Sequence, residues 1–146
     1  MEEPLTEITL RRYEKPYQLS ERELLKKICL SLGLLQPADS RDVVIDILQV
    51  LLNAKKNKKL LGSEDIKNLV IAARKSQNLE LNGIADSNIR RQLKKLRDVF
   101  LVEKIENSYR INEFEQLDKI FEEKIEKFFI PQITERIKEY LKELEK

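Results

Sequence analysis

Residues 86–111 change from a helical to a strand-like apolar pattern. In the first half, Leu93 and Leu96 fall within about 40° of Ile89 when each residue turns the helix by about 100°. In the second half, "VFLVEKI" and "SYRI" are rich in β-branched and aromatic residues, and "ENS" between them suits a turn. The stretch therefore predicts an amphipathic helix followed by a short β-hairpin. Strands of this length need helices for support, so the hairpin belongs to a larger domain.

Apolar residues at helical spacing predict three further helices ahead of this unit. Ser20 and Glu23 have the spacing of a capping box at the start of the first helix, and Gly33 is an end signal. The second helix is expected to start near residues 39–40. The third is expected to start at Ser63, where "SED" supplies a cap and first-turn carboxylates, and to end near residues 74–77. The inner faces of the second and third helices comprise Val43, Val44, Ile47, Leu48, Leu51, Leu52, Ile66, Leu69, Val70 and Ala73.

The final segment, residues 113–146, predicts a long amphipathic helix with Asn112 as its cap. Pro131 cannot donate a backbone hydrogen bond and crowds the turn before it, so a kink or a new helix is expected there. A long helix outside a compact domain buries its apolar side either by folding back or by pairing with a second copy. We favour pairing, which predicts a homodimer. The apolar positions are Leu117, Phe121, Ile125, Phe128, Ile133, Ile137, Tyr140, Leu141 and Leu144.

Composition limits the chemistry that this chain can carry out. The chain has 146 residues, which fits one domain, and only three Gly and four Pro, which favours long helices over a loop-rich fold. It has no His and a single Cys, Cys29, so a zinc site of ordinary ligands and an internal disulfide are excluded. No catalytic, cofactor-binding or metal-binding residues are predicted, and an enzyme is the least expected class.

The sequence contains neither a membrane span nor a secretion signal that we can identify. No run of 18 apolar residues occurs, and the first residues, "MEEPLTEITL", lack a cationic start followed by a long apolar stretch. A cytoplasmic location is therefore the expectation.

Positive charge is concentrated in the middle of the chain. The whole chain has a net charge of +2, but residues 53–97 hold twelve Lys or Arg and four Asp or Glu, a net charge of +8. Five of these cations lie within residues 90–97, on the side of the predicted helix that its apolar face leaves free. Because phosphate binding depends on local potential, this distribution indicates nucleic acid as a partner.

The segments "SEDIKNLV", "SNIRRQLKKLRD" and "FLVEKIENSYRI" resemble the small winged helix-turn-helix transcriptional regulators of prokaryotes, including the MarR-like and ArsR-like groups. The resemblance covers roughly residues 39–112. It implies a mainly α fold with a short β-hairpin wing, flanked by an N-terminal arm and helix over 1–38 and a C-terminal helical segment over 113–146. It also implies sequence-specific binding of double-stranded DNA by a homodimer that regulates transcription.

In such a protein, residues 86–98 form the recognition helix, which fits the major groove. Ser87, Asn88 and Arg91 are then the expected base readers, and the other cations suit phosphate contacts. Arg110, on the second wing strand, is a weaker candidate. The full set of expected DNA-binding residues is Ser87, Asn88, Arg90, Arg91, Lys94, Lys95, Arg97, Lys55, Lys56, Lys58, Lys59 and Arg110.

Two features depart from the family pattern. The connection over residues 76–85 is longer than the three or four residues of a tight helix-turn-helix. The sequence "EKIEN" also places acidic side chains near the wing tip, where they would repel phosphate.

Other interpretations of the basic face stay open. It could be an ordinary solvated face, since 37% of the residues are charged. It could grip an acidic protein, as a winged-helix interaction module or a subunit of a larger complex. RNA is a third partner, although the scarcity of aromatic residues on this face argues against base stacking.

Overall fold

The computed structural model describes residues 2–146 and is mainly helical, with a small antiparallel sheet. The α-helices are α1 (Glu21–Ser31), α2 (Val43–Lys55), α3 (Ser63–Ser76), α4 (Asp86–Asp98), α5 (Leu117–Ile120) and α6 (Ile130–Leu144). The strands are β1 (Leu61–Gly62), β2 (Val102–Ile105) and β3 (Ser108–Ile111). A 3₁₀ turn, Asn112–Phe114, follows β3, and a π-helical segment, Phe121–Phe129, joins α5 to α6.

The sheet has the order β1-β3-β2, and all its neighbours are antiparallel. The predicted hairpin is confirmed, but its first strand starts at Val102 and not at Val99, which still belongs to the end of α4. Strands β2 and β3 pair with Ile105 opposite Ser108, which leaves a two-residue turn. Strand β1 was not predicted, because two residues carry no alternating pattern. It pairs Leu61 with Tyr109 and thereby fastens the start of α3 to the hairpin.

Helix α2 forms the centre of the hydrophobic core and contacts α1, α3, α4 and β3. Its first six residues, Val43–Leu48, are all buried, so the helix is enclosed on nearly every side at that end. A helix in this position needs apolar residues around its whole circumference, which agrees with the wide apolar stripe in the sequence. The surrounding helices each contribute one narrower face to the same core.

Several predicted helix boundaries need correction. Helix α2 starts at Val43 and not near residues 39–40, because Asp39 belongs to a turn with Gln36. The Asp39 amide donates to the carbonyl of Gln36 at 3.0 Å, and the Asp39 carboxylate accepts from the Gln36 amide at 3.2 Å. Helix α3 starts at Ser63 as predicted, but Gly62 is its N-cap. The capping box of Ser20 with Glu23 is confirmed.

The predicted inner face of α3 is only partly correct. Ile66 and Val70 are fully buried, but Leu69 is 46% exposed and does not belong to the core. Leu69 follows the helical spacing, so spacing alone did not separate it from its buried neighbours.

The C-terminal part of the chain also differs from the prediction. Asn112 does not cap a helix; its side-chain amide donates to the carbonyl of Phe100 at 3.0 Å, and the helix starts at Leu117. Pro131 lies in the first turn of α6, directly after the π-helical segment. Backbone angles at Phe129 and Ile130 are helical, so helical structure runs from residue 117 to residue 144.

Candidate nucleic-acid interface

Helix α4 presents its apolar side to the core and its cations to solvent. Ile89, Leu93 and Leu96 are at most 1% exposed, which confirms the predicted seam. On the other side, four of the five cations are exposed and Lys95 is half-buried. The exposed cations of α4 are Arg90, Arg91, Lys94 and Arg97.

Most of these cations are free of acidic partners. Lys94 forms an exposed i,i+4 ion pair with Asp98 at 3.2 Å. Within residues 2–146, the other four cations of α4 take part in no ion pair. An exposed pair such as Lys94–Asp98 contributes only about 0–1 kcal/mol, so it opens readily for a competing phosphate.

The first turn of α4 is fixed to its surroundings. Asn88 is only 8% exposed; its Nδ2 donates to the carbonyl of Gly83 at 2.7 Å, and its Oδ1 accepts from Arg91 and Gln92. The Asn88 amide, which was expected to contact a base, is therefore hydrogen-bonded within the molecule. It holds the end of the α3–α4 connection against the start of α4. Ser87 is exposed.

An ion pair links α3 to the start of α4. Lys67 Nζ lies 2.8 Å from Asp86 Oδ1. The hydrogen bond from Lys67 lowers the pKa of Asp86, and the same bond raises the pKa of Lys67. Both groups are thus charged at neutral pH, and Lys67 neutralises the only acidic side chain in the first turn of α4.

A buried network of two arginines and two aspartates holds the connection between α3 and α4. Asp46 has no exposed surface and accepts from Arg22 at 2.6 Å and from Arg74 at 2.6 Å. Arg74 is 4% exposed, and its Nε donates to the carbonyl of Glu80 at 2.6 Å. The long connection over residues 77–85 is therefore anchored to the core through Arg74. An aspartate within the apolar run "VVIDIL" was the sequence signal for this network, and we did not predict it.

Asp42 joins this network at its solvent edge. Burial would raise the pKa of Asp42, but hydrogen bonds from Arg22 and Arg74 outweigh it, and the pKa lies below its ordinary value of 3.8. The carboxylate is accordingly ionised at neutral pH and pairs with both guanidinium groups.

Two grooves flank α4, and each adds a cation that the sequence analysis did not select. One groove, of about 370 Å³, lies against the hairpin, and its lining includes Lys94, Arg97 and Lys104 together with the paired acids Asp98 and Glu103. The other, of about 350 Å³, lies against the connection between α1 and α2, and its lining includes Arg91, Lys95 and Arg41 together with Asp39. Arg41 and Lys104 are both exposed. No sequence pattern marks them, because each is an isolated cation outside the basic run.

The lysine-rich loop predicted to contact DNA lies at the base of the hairpin. Lys55 Nζ donates to the carbonyl of Glu115 at 3.2 Å, which ties the end of α2 to the start of the C-terminal segment. In the pairing of β1 with β3, Gly62 is the residue of β1 nearer the hairpin turn, Glu106–Asn107. The loop that precedes β1 therefore lies at the opposite end of the hairpin. Lys56, Lys58 and Lys59 are exposed on this loop.

Arg110 also has partners within the molecule. Its Nε donates to Glu103 Oε2 at 2.8 Å, and its guanidinium group stacks over the ring of Phe114 at 4.7 Å from the centroid. Glu103, one of the acidic residues of the predicted wing, is thereby neutralised.

Comparison with family models, curated proteins and solved structures finds no match to this chain. Over residues 2–146, no helix is long and apolar enough to cross a membrane. The same residues contain no group of three or more His, Cys, Asp or Glu side chains placed to hold a metal ion.

Proposed function

We propose that residues 43–111 form a winged helix-turn-helix domain that binds double-stranded DNA through α4, and that the protein regulates transcription as a homodimer. The order of elements supports this proposal. A winged helix combines three core helices with a hairpin after the third helix, and α2, α3, α4 and β2–β3 follow that order. Strand β1, between the first two of these helices, pairs with the hairpin and completes its sheet.

The exposed cationic side of α4 is the observation that carries the proposal. Arg90, Arg91 and Arg97 project from a helix whose opposite side is fully buried, so they share one surface on a rigid support. An α-helix fits the major groove of B-DNA, where Arg can pair bidentately with guanine. A groove on each side of α4 adds Arg41 or Lys104 beside the helix, which suits contacts to the flanking phosphates.

A solvated face would be expected to mix charges of both signs. The C-terminal helix has that composition: Arg136 pairs with Glu139 and Lys127 with Glu122 along it. On α4, Asp98 is the only acidic residue after the first turn. This contrast favours a phosphate-binding surface over a face that serves solubility alone.

We assign separate roles to the residues of α4. Ser87 and Arg91 lie in the first half of the helix and are exposed, so they are the proposed base readers. Arg90, Lys94, Lys95 and Arg97 contact phosphates. Asn88 holds the helix start in position through Gly83, and we do not assign it a base contact.

The test is a salt titration of binding to duplex DNA, for the natural chain and for the double variant Arg91→Ala/Lys94→Ala. Binding should weaken steeply with salt, with a slope of about −0.9 for each phosphate contacted. The double variant should bind more weakly with a slope less negative by about 1–2. Fluorescence anisotropy of labelled DNA measures both quantities.

The matched control is Lys119→Ala/Lys124→Ala, which removes the same number of positive charges from exposed positions outside α4. This control should retain the affinity of the natural chain. Equal loss in both double variants would mean that only net charge matters, and an unchanged Arg91→Ala/Lys94→Ala variant would remove α4 from the interface.

One observation favours a protein partner as the second candidate. The hairpin turn has only two residues and carries Glu106, so the wing offers no cation at its tip. An acidic protein could bind the cations of α4 without contacting the hairpin, so the lack of a cation at the hairpin tip would not weaken its binding. Recovery of one acidic protein with the natural chain, lost in Arg91→Ala/Lys94→Ala and combined with no binding to duplex DNA or RNA, would establish this alternative.

A further inference from the structure

Helix α6 carries an apolar seam that is largely exposed in the single chain from Ile137 onward. None of the residues of α6 is buried. Ile137, Tyr140 and Leu144 are 52%, 73% and 84% exposed. Helix α6 continues the helical segment that the buried Ile125 and Phe129 anchor to the core, but none of its own 15 residues is buried. Because packing of an apolar face supplies most of the stability of a helix in a protein, a partner on this seam would stabilise it.

The spacing of the seam is that of a coiled coil. Ile130, Ile133, Ile137, Tyr140 and Leu144 follow one another at intervals of three, four, three and four residues. This is the alternation of a and d positions in the heptad repeat. Ile130 packs against the core of its own chain, so the side chains from Ile133 to Leu144 are the ones available to a second helix. The occupant that fits this seam best is therefore another helix with the same repeat.

The seam lies beside an open groove. A groove of about 710 Å³ runs between α6 and the N-terminal arm, lined by Ile133, Ile137 and Tyr140 on one side and by Pro4 and Leu5 on the other. Leu5 is 90% exposed, so the arm also offers apolar surface to an incoming helix.

The charges of α6 argue for a second copy. Residues 130–146 contain four Lys or Arg and four Asp or Glu, so the segment has no net charge to attract an acidic or basic partner, or an anionic lipid surface. The charges beside the seam instead complement those of the same helix in reversed orientation.

With Ile130 at an a position, Arg136 and Glu143 both occupy g positions. In an antiparallel pair, g positions face each other across the seam, so Arg136 would face the partner's Glu143, and the reverse contact would form by symmetry. In a parallel pair, Arg136 would face the partner's Leu141, without a charge partner. In the single chain these groups form only exposed pairs, Arg136 with Glu139 and Glu143 with Lys146, which exchange at little cost.

We infer that α6 pairs with α6 of a second copy in antiparallel orientation, through the seam Ile133–Leu144 and two Arg136–Glu143 contacts. This inference rests on the homodimer of the proposed function and specifies its interface. It does not depend on DNA binding, and it is tested without DNA.

Charge reversal in the full chain tests the pairing. Sedimentation equilibrium should show a dimer for the natural chain, and Arg136→Glu or Glu143→Arg alone should each raise the dimer dissociation constant about tenfold, since each places like charges at two symmetric contacts. The double variant Arg136→Glu/Glu143→Arg should recover the natural dissociation constant. The control Lys138→Glu makes the same charge change at an outer position of the heptad and should have no effect.

Cysteine cross-linking determines the orientation. Antiparallel pairing places Ile133 opposite the partner's Leu144. An Ile133→Cys chain mixed with a tagged Leu144→Cys chain should therefore give a mixed disulfide under mild oxidation. Cys29 has no exposed surface and does not interfere. Disulfides between identical variants would mean a parallel pair, and a natural chain that sediments as a monomer would overturn the inference even if DNA binding is found.

Discussion

Asp46 is a carboxylate without exposed surface in an otherwise apolar helix, and its two arginine partners make that burial tolerable. Arg74 depends on it most, because Arg74 is itself 4% exposed. We expect Asp46→Ala to lower the free energy of unfolding by about 3–5 kcal/mol, since it leaves a buried guanidinium group without its main counter-charge. Urea denaturation measures this loss. As a control, Asp98→Ala breaks an exposed pair and should cost about 1 kcal/mol or less.

Asp42, in the same network, should make stability depend on pH. Its pKa in the folded protein is lower than its ordinary value of 3.8, so its contribution is complete above that value. The contribution is then lost as the pH falls through the lower, folded-state pKa. We expect Asp42→Asn to be less stable than the natural chain at pH 7, with the difference shrinking toward pH 2. A difference that stays constant between these pH values would show that the Asp42 charge does not stabilise the fold.

The C-terminal ends of α1 and α4 show when a helix boundary can be predicted from the sequence. Helix α1 ends at Ser31, and the left-handed residue that follows its C-cap is Gly33, with φ of +70°; the amide of Leu34 donates to the carbonyl of Cys29. Glycine is the residue that favours this left-handed position, so the sequence predicted the end correctly. Helix α4 ends at Asp98 in the same way, but its left-handed residue is Phe100, with φ of +64°, whose side chain gives no such signal. That position is fixed by tertiary contacts, including the Asn112 bond and the edge-on packing of Phe100 against Phe129.

Gly33, after the end of α1, should not tolerate a larger side chain. A Cβ at this position would lie 2.6 Å from the Cβ of Thr9, in addition to the cost of about 1–2 kcal/mol of a left-handed backbone for other residues. We therefore expect Gly33→Ala to lower the melting temperature by several degrees or more, as measured by circular dichroism. Gly62→Ala is the matched control: its Cβ would lie no closer than 3.8 Å to its neighbours, and it should be tolerated.

The sequence predicts which residues of the candidate site are buried or exposed wherever helical periodicity decides between the two. The period of α4 separates Leu93 from Arg91, and the structure buries the first and exposes the second. Asn88 lies at the margin of the apolar seam, where the period does not decide between core and surface. Its burial depends on Gly83, with φ of +83°, which brings the connection back onto the helix start. Strand β1 and the Asp46 network join segments far apart in the chain, so no local pattern predicts them.

The proposed dimer and the proposed DNA contacts make one joint prediction. A symmetric dimer presents two copies of α4 to two half-sites, whereas a monomer presents one. Ile137→Asp places a charge at the α6 seam, at a residue that is 52% exposed and outside the hydrophobic core, so it should yield a folded monomer. Circular dichroism and thermal melting establish that the variant is folded.

This monomer should bind DNA more weakly than the natural chain, with about half the slope of log K against log salt. The slope counts the phosphates contacted, and one copy of α4 contacts half as many as two copies. Arg91→Ala/Lys94→Ala should reduce the slope while leaving the dimer intact. The two variants therefore distinguish the loss of DNA contacts on each α4 from the loss of the second protomer. A monomeric Ile137→Asp chain with an unchanged slope would mean that a single copy of α4 makes all the DNA contacts and that the dimer serves another purpose.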